Sequence, residues 1–163
     1  MPRPLRKPTG WKRLLLRAPI WLYRLRLGLL LDHRFLYLAH RGRVSGRRRE
    51  TVLEVVEYDR PGRAAYVVSG WGPRSDWFLN LKAGPALEVR LGCHRYPAPG
   101  VHLLTSPEAL ALLTRYREQR PRTWRQLAKV MGIEPDADGS ELERAADGLP
   151  AVRFSLDPAD RAG

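Results

Sequence analysis

From Arg34 onward the chain is cut into short β-branched and aromatic segments by Gly, Pro and charged turns, a rhythm that fits strands. "FLYLAH" (35–40), "TVLEVVEY" (51–58), "AAYVVSG" (64–70) and "ALEVRLG" (86–92) read as four strands, with "DRPGR" turning the second into the third. "LEVRL" alternates strictly, which predicts Leu87, Val89 and Leu91 inward and Glu88 and Arg90 outward. "TVLEVVEY" does not alternate, and apolar residues on both faces of one strand suit a small barrel that receives helices on its outside.

The segments after the first four strands extend this pattern. "GPRSDWFLNLKAGP" holds a short helix, with Ser75 as cap and Gly84-Pro85 as stop. "HRYPAPGVHLL" reads as a strand interrupted at its prolines. "SPEALALLTRYREQR" opens with a Ser-Pro-Glu start signal and is a helix, "TWRQLAKVMG" is a second one, and "EPDADGSELERAADG" reads as an acidic polar connector. "AVRFSL" closes the fold as a last strand with Val152, Phe154 and Leu156 on one face. The expected fold class is α+β: one barrel domain over 34–157 with C-terminal helices, preceded by a basic segment over 1–33 and followed by a tail over 158–163.

The segment 1–33 places Trp11, Leu14, Leu15, Ala18, Leu22, Leu25 and Leu29 at helical spacing, with Arg13, Arg17 and Arg24 largely off that stripe. It predicts an amphipathic helix, either packed on the domain or lying on an anionic membrane surface; its uncharged runs are too short to span a bilayer. Charge is distributed very unevenly. Residues 1–49 carry 14 Lys or Arg against the single acid Asp32, a net of +13, whereas the remainder is close to neutral. One electropositive region facing an anionic partner follows from this asymmetry. The lone Cys93 excludes an intrachain disulfide and suits a reducing, cytoplasmic setting, and the four histidines show no metal-ligand spacing.

The densest positive charge is "HRGRVSGRRRET" (40–51), five arginines around two glycines between two strands. Glycine at 42 and 46 lets the backbone turn with positive φ, and arginine presents a planar fork suited to phosphate and carboxylate. On composition alone a solvated basic loop is an equal alternative. A second segment, "VVSGWGPRSDWFLNL" (67–81), surrounds an aromatic with small residues, which permits a flat ligand or a phosphate to approach the backbone.

Together these segments resemble the deazaflavin-dependent nitroreductase family, small split-β-barrel proteins related to FMN-binding pyridoxamine-oxidase-like barrels. The family's loop pattern is matched by Gly42, Arg43, Ser45, Gly46, Arg49 and Thr51. Its second pattern is matched by Val67, Ser69, Gly72, Trp77, Phe78, Asn80, Leu81, Ala83 and Pro85. The chain departs from the family at Val44, where Lys is frequent, and at Gly70-Trp71.

The resemblance implies a split β-barrel that binds coenzyme F420 and passes a hydride from its reduced form to a quinone or nitro compound. It also implies roles. Arg43 and Arg49, helped by Arg41, would hold the phosphate and the glutamate tail. Ser45 and the Gly46 N–H would close a phosphate nest, Ser69 and Gly70 would line the cofactor edge, and Trp77 would pack beside the ring. No catalytic acid or base is singled out; a proton would come from solvent or a tyrosine such as Tyr23, Tyr37 or Tyr116. The chain would act as a monomer or homodimer. The alternatives are an FMN- or haem-binding barrel, or a nucleic-acid-binding module using the basic first third.

Overall fold

The computed structural model describes residues 33–69 and 72–157. The amphipathic stripe expected within 1–32 lies outside the described residues, as do Gly70 and Trp71. The order of elements is β1 (Phe35–Arg41), β2 (Arg48–Asp59), β3 (Ala64–Val68), a 3-10 turn (Gly72–Arg74), α1 (Asp76–Ala83), β4 (Ala86–Leu91), β5 (His94–Pro97), β6 (Gly100–Leu103), α2 (Ser106–Gln119), α3 (Pro121–Met131), α4 (Gly139–Gly148) and β7 (Ala151–Ser155).

The seven strands form one antiparallel sheet in the order β5-β4-β1-β2-β3-β7-β6. Its two edge strands, β5 and β6, are neighbours in sequence, joined only by Ala98 and Pro99. A three-residue step from Pro97 to Gly100 spans at most about 11 Å, so the sheet has to curl until its edges approach, giving a split barrel. Pro97 and Pro99 thus end one edge and start the other, and the interrupted strand expected from the sequence is two strands on opposite sides of the seam. Ala98 turns the corner with φ of +46°.

Two cores flank the sheet. The barrel core joins Leu36, Leu38, Leu53, Val55, Val67, Val89, Leu91, Val152, Phe154 and Leu156, with Trp77 and Leu81 of α1 plugging it. The second core lies between the sheet and the C-terminal helices and gathers Val56, Leu112, Leu113, Tyr116, Trp124 and Leu142. β2 serves both, as its unalternating sequence anticipates. Leu53 and Val55 face the barrel and Val56 the helix side, and a register shift between Val55 and Glu57 brings Tyr58 back to the barrel side.

Two sequence expectations need correction. First, "LEVRL" is not a plain alternating strand, because the β1–β4 register shifts between Ala39 and His40. The bulge turns Leu87 to the outer face beside Tyr37 and Ala39. Glu88 is buried at 2% exposure rather than solvated. Second, "EPDADGSELERAADG" is not a connector, since its latter half is α4, in which Leu142 and Ala146 are buried. Asp138 caps it by accepting the Glu141 N–H at 2.9 Å. α2 starts at Ser106 as the Ser-Pro-Glu signal predicts, with Thr105 as its cap. Glu108 accepts the Thr105 N–H at 2.7 Å in a capping box, and with His102 beside it that carboxyl is held down to about 2.

Candidate functional site: the basic loop and its clamp

The arginine-rich stretch spans the turn from β1 to β2. The Gly42 N–H donates to the Arg47 carbonyl at 2.8 Å and the Gly46 N–H to the Gly42 carbonyl at 2.8 Å. These bonds fix the loop by its own backbone. Gly46 adopts φ of +64°, a conformation glycine enters without the Cβ penalty. A Cβ on Gly42 would lie 2.8 Å from the Ser45 hydroxyl. Both glycines therefore shape the turn. The Gly46 N–H, expected to face a phosphate, is instead committed to the Gly42 carbonyl.

What holds the loop against the barrel is α1. The Asn80 side-chain oxygen accepts the Arg43 backbone N–H at 3.0 Å and the Arg43 guanidinium at 3.0 Å. Its amide meets His40 Nδ1 at 3.1 Å. Asn80 and His40 are 5% and 3% exposed, so this is a buried polar clamp. Asp76, one turn earlier on α1, pairs with the same guanidinium at 3.3 Å. With the amide donating, His40 Nδ1 accepts and the ring is neutral; burial, the main influence, pushes its pKa below the ordinary 6.5. Asn80 stands in the family motif, but no role for it follows from the motif alone. The available signal was an amide on a helix that otherwise turns apolar residues inward.

The arginines separate by partner. Arg41 folds back and donates to the Gly46 carbonyl at 3.0 Å. Arg43 is bound to the clamp. Arg48 turns to the outer face of the sheet, where it pairs with Glu88 at 3.3 Å and Glu50 at 3.5 Å. Arg47 and Arg49 are exposed, and among the described residues neither makes an ion pair with a carboxylate. Ser45, at the tip, accepts the Arg47 N–H at 3.4 Å, and Val44 beside it is 92% exposed.

The buried carboxylate of Glu88 also receives Arg90 and, at 2.7 Å, Arg95. Burial alone would raise its pKa, but the Arg90 and Arg95 guanidinium groups outweigh that and hold it below the usual carboxylate range. Arg90 also lies over the Tyr37 ring at 4.9 Å. The outer sheet face next to the loop is thus an organised ionic network.

Two other expected site residues are placed differently. The Ser69 hydroxyl is 2% exposed; it donates to the Gly72 carbonyl at 3.0 Å and meets the Ser75 hydroxyl at 2.8 Å. It shapes the entry to α1, and it draws Ser75 away from the helix-capping bond expected of it. Trp77 is 7% exposed and belongs to the barrel core, edge-on to Phe78. The structure therefore brings the loop and α1 together, with Ser69 and Trp77 supporting that junction from inside.

The anionic half of a deazaflavin coenzyme needs cations that are not already neutralised. Five guanidinium groups within nine residues face Asp76, Glu50 and Glu88, which leaves a surplus of positive charge centred on Arg47 and Arg49. The donor set fits a phosphate and carboxylates. No described helix is long and apolar enough to cross a membrane.

Two solved structures are similar to the described fold. One, a structure of an F420-H2 dependent reductase, is 19% identical with a TM-score of 0.50, covering 76% of this chain and 95% of that one. The other, described as a domain-swapped dimer, is also 19% identical with a TM-score of 0.50, covering 84% and 99%. No match is found among the curated proteins. The family model for F420H2-dependent quinone reductase matches residues 18–131, a span that holds the loop, its clamp and the barrel strands through β6. The chain belongs to the F420H2-dependent quinone reductase family.

Proposed function

We propose that the β1–β2 loop is where this oxidoreductase holds the phosphate and glutamate tail of coenzyme F420. The observation that carries this is the Asn80 clamp. A loop meant only for solvation gains nothing from a buried amide that fixes both its backbone and one of its arginines, whereas an anion site gains preorganised donors. Among the described residues Arg49 and Arg47 offer guanidinium groups unpaired with carboxylates, and Arg43 sets the loop's position while keeping part of its fork available. Ser45 offers a hydroxyl at the tip. Val44 presents an apolar surface there.

When bound, the reduced deazaflavin supplies the hydride that the quinone acceptor receives. The chain contributes binding, orientation and exclusion of water. Tyr37 is buried and its hydroxyl pKa is raised, chiefly by that burial, so it remains a proton-bearing group over the physiological range. FMN, the alternative cofactor, carries a phosphate but no glutamate tail, and would use fewer of these arginines.

Titration of the purified protein with F420 and with FMN, followed by ring fluorescence, tests the assignment. Arg49→Ala and Arg43→Ala are each expected to weaken F420 binding about tenfold, the loss of one charge-assisted hydrogen bond. Unaltered affinity in both would refute the site while leaving family membership untouched.

A further inference from the structure

Away from the loop, a cavity of about 470 Å³ opens between the far end of β2 and the α2–α3 corner. Its wall on β2 begins at Glu54, six residues beyond Arg48, about 20 Å along a strand that rises roughly 3.3 Å per residue. The volume is that of a site for a small organic molecule. Two tyrosines line it: Tyr58, stacked on His33 at 4.6 Å with the rings nearly parallel, and Tyr116, which is 4% exposed.

Charge at the rim is one-sided. Arg34, Arg120 and Arg122 line the cavity against the single acid Glu54, and the Arg34–Glu54 pair is loose at 3.9 Å. Among the described residues Arg120 and Arg122 have no carboxylate partner. Both stand at the start of α3, where no side chain caps the helix and Pro121 occupies the first turn. The free amides of that turn add partial positive charge on the same side. Burial keeps the Tyr116 hydroxyl protonated, with its pKa raised, so it can donate to an acceptor.

We infer that this cavity binds a planar aromatic molecule carrying a carboxylate, with the ring against Tyr58 and Tyr116 and the anion at Arg120 and Arg122. The site is separate from the loop, and the inference stands whether or not the loop holds F420. Neither an apolar ring alone nor a bare anion uses both halves of the cavity.

Calorimetric titration of the full-length protein with 2-naphthoate, and with its neutral counterpart 2-naphthamide, tests this. The carboxylate is expected to bind at least tenfold more tightly than the amide. The Arg120→Gln/Arg122→Gln double variant, altered only at exposed side chains, should lose that preference, and Tyr116→Phe should weaken binding severalfold. Saturating F420 should not displace the naphthoate. Equal affinity for acid and amide, no binding at millimolar naphthoate, an unaltered double variant with unchanged circular dichroism, or displacement by F420 would each overturn the inference.

Discussion

Replacing Asn80 by alanine isolates the clamp between α1 and the basic loop. The substitution removes the acceptor of the Arg43 N–H and guanidinium, each at 3.0 Å, and the amide that meets His40 Nδ1 at 3.1 Å. The guanidinium is partly exposed and recovers water, so its bond counts for little. The other two are replaced poorly: His40 is 3% exposed and its Nδ1 would be left without a partner. At about 1 kcal/mol for the Arg43 N–H bond, plus 1–3 kcal/mol for the orphaned buried Nδ1, the expected cost is about 2–4 kcal/mol. Urea denaturation followed by tryptophan emission would show it as a midpoint lowered by about 1–2 M, for a slope near 2 kcal/mol/M. The companion variant Asn80→Asp sharpens the test through pH. In the natural protein His40 is held neutral, with a folded pKa below 6.5. The unfolded chain therefore takes up the proton first, and the His40 contribution is present above about pH 6.5 and lost as pH falls towards the folded value. An aspartate at 80 offers no N–H, favours a protonated His40 and raises its pKa. That contribution is then full below about pH 6.5 and lost as pH rises through the new folded value. Opposite slopes between pH 5.5 and 7.5 are the expected outcome. A loss below about 0.5 kcal/mol for the alanine variant, or the same slope in both proteins, would refute the clamp.

Two further outcomes test neighbouring features. Glu88→Gln should cost about 1–2 kcal/mol in denaturant titration, less than for a fully buried pair because the three arginines are partly exposed and rehydrate. Since the folded Glu88 pKa is depressed, its stabilisation is present above the ordinary carboxylate range and lost as pH falls through the folded value, so the variant should show a flatter stability profile below about pH 4.5. Gly46→Ala meets no steric obstacle but must hold φ of +64°; a penalty of about 1–2 kcal/mol corresponds to a melting temperature lowered by roughly 2–8 °C, and an unchanged melting temperature would show that the turn relaxes.

The strands and the family motifs were legible because they rest on local signals: β-branched runs, Gly-Pro punctuation, and glycines at turns that need them. β2 was also read well, since apolar residues on both faces require two cores. Glu88 was not legible. A carboxylate in an alternating strand looks solvated until Arg48, Arg90 and Arg95 converge on it from β2, β4 and the edge strand β5, and the alternation of one strand does not show which strands lie near it. α4 was missed because seven acidic or small residues and Arg144 obscure the one buried pair, Leu142 and Ala146, whose spacing of four is the helical signal. The ranking of arginines also changed. Arg47 and Arg48 look alike in sequence, yet one stays outside and the other belongs to the Glu88 network. Only the direction of the strand after the turn distinguishes them.

β7 is the last strand in the chain but lies inside the sheet, between β3 and β6. β3 pairs with it in a full register from Ala64–Ser155 to Val68–Ala151, and among the described residues β6 has no other strand neighbour. On the ribosome, therefore, β5, β4, β1 and β2 can assemble while β3 keeps one edge open and β6 has nothing to pair with. The barrel waits for residues 151–155 to emerge. A nascent or truncated chain ending before Ala151 exposes two strand edges and the apolar residues that β7 covers, the kind of surface that chaperones bind and proteases cut.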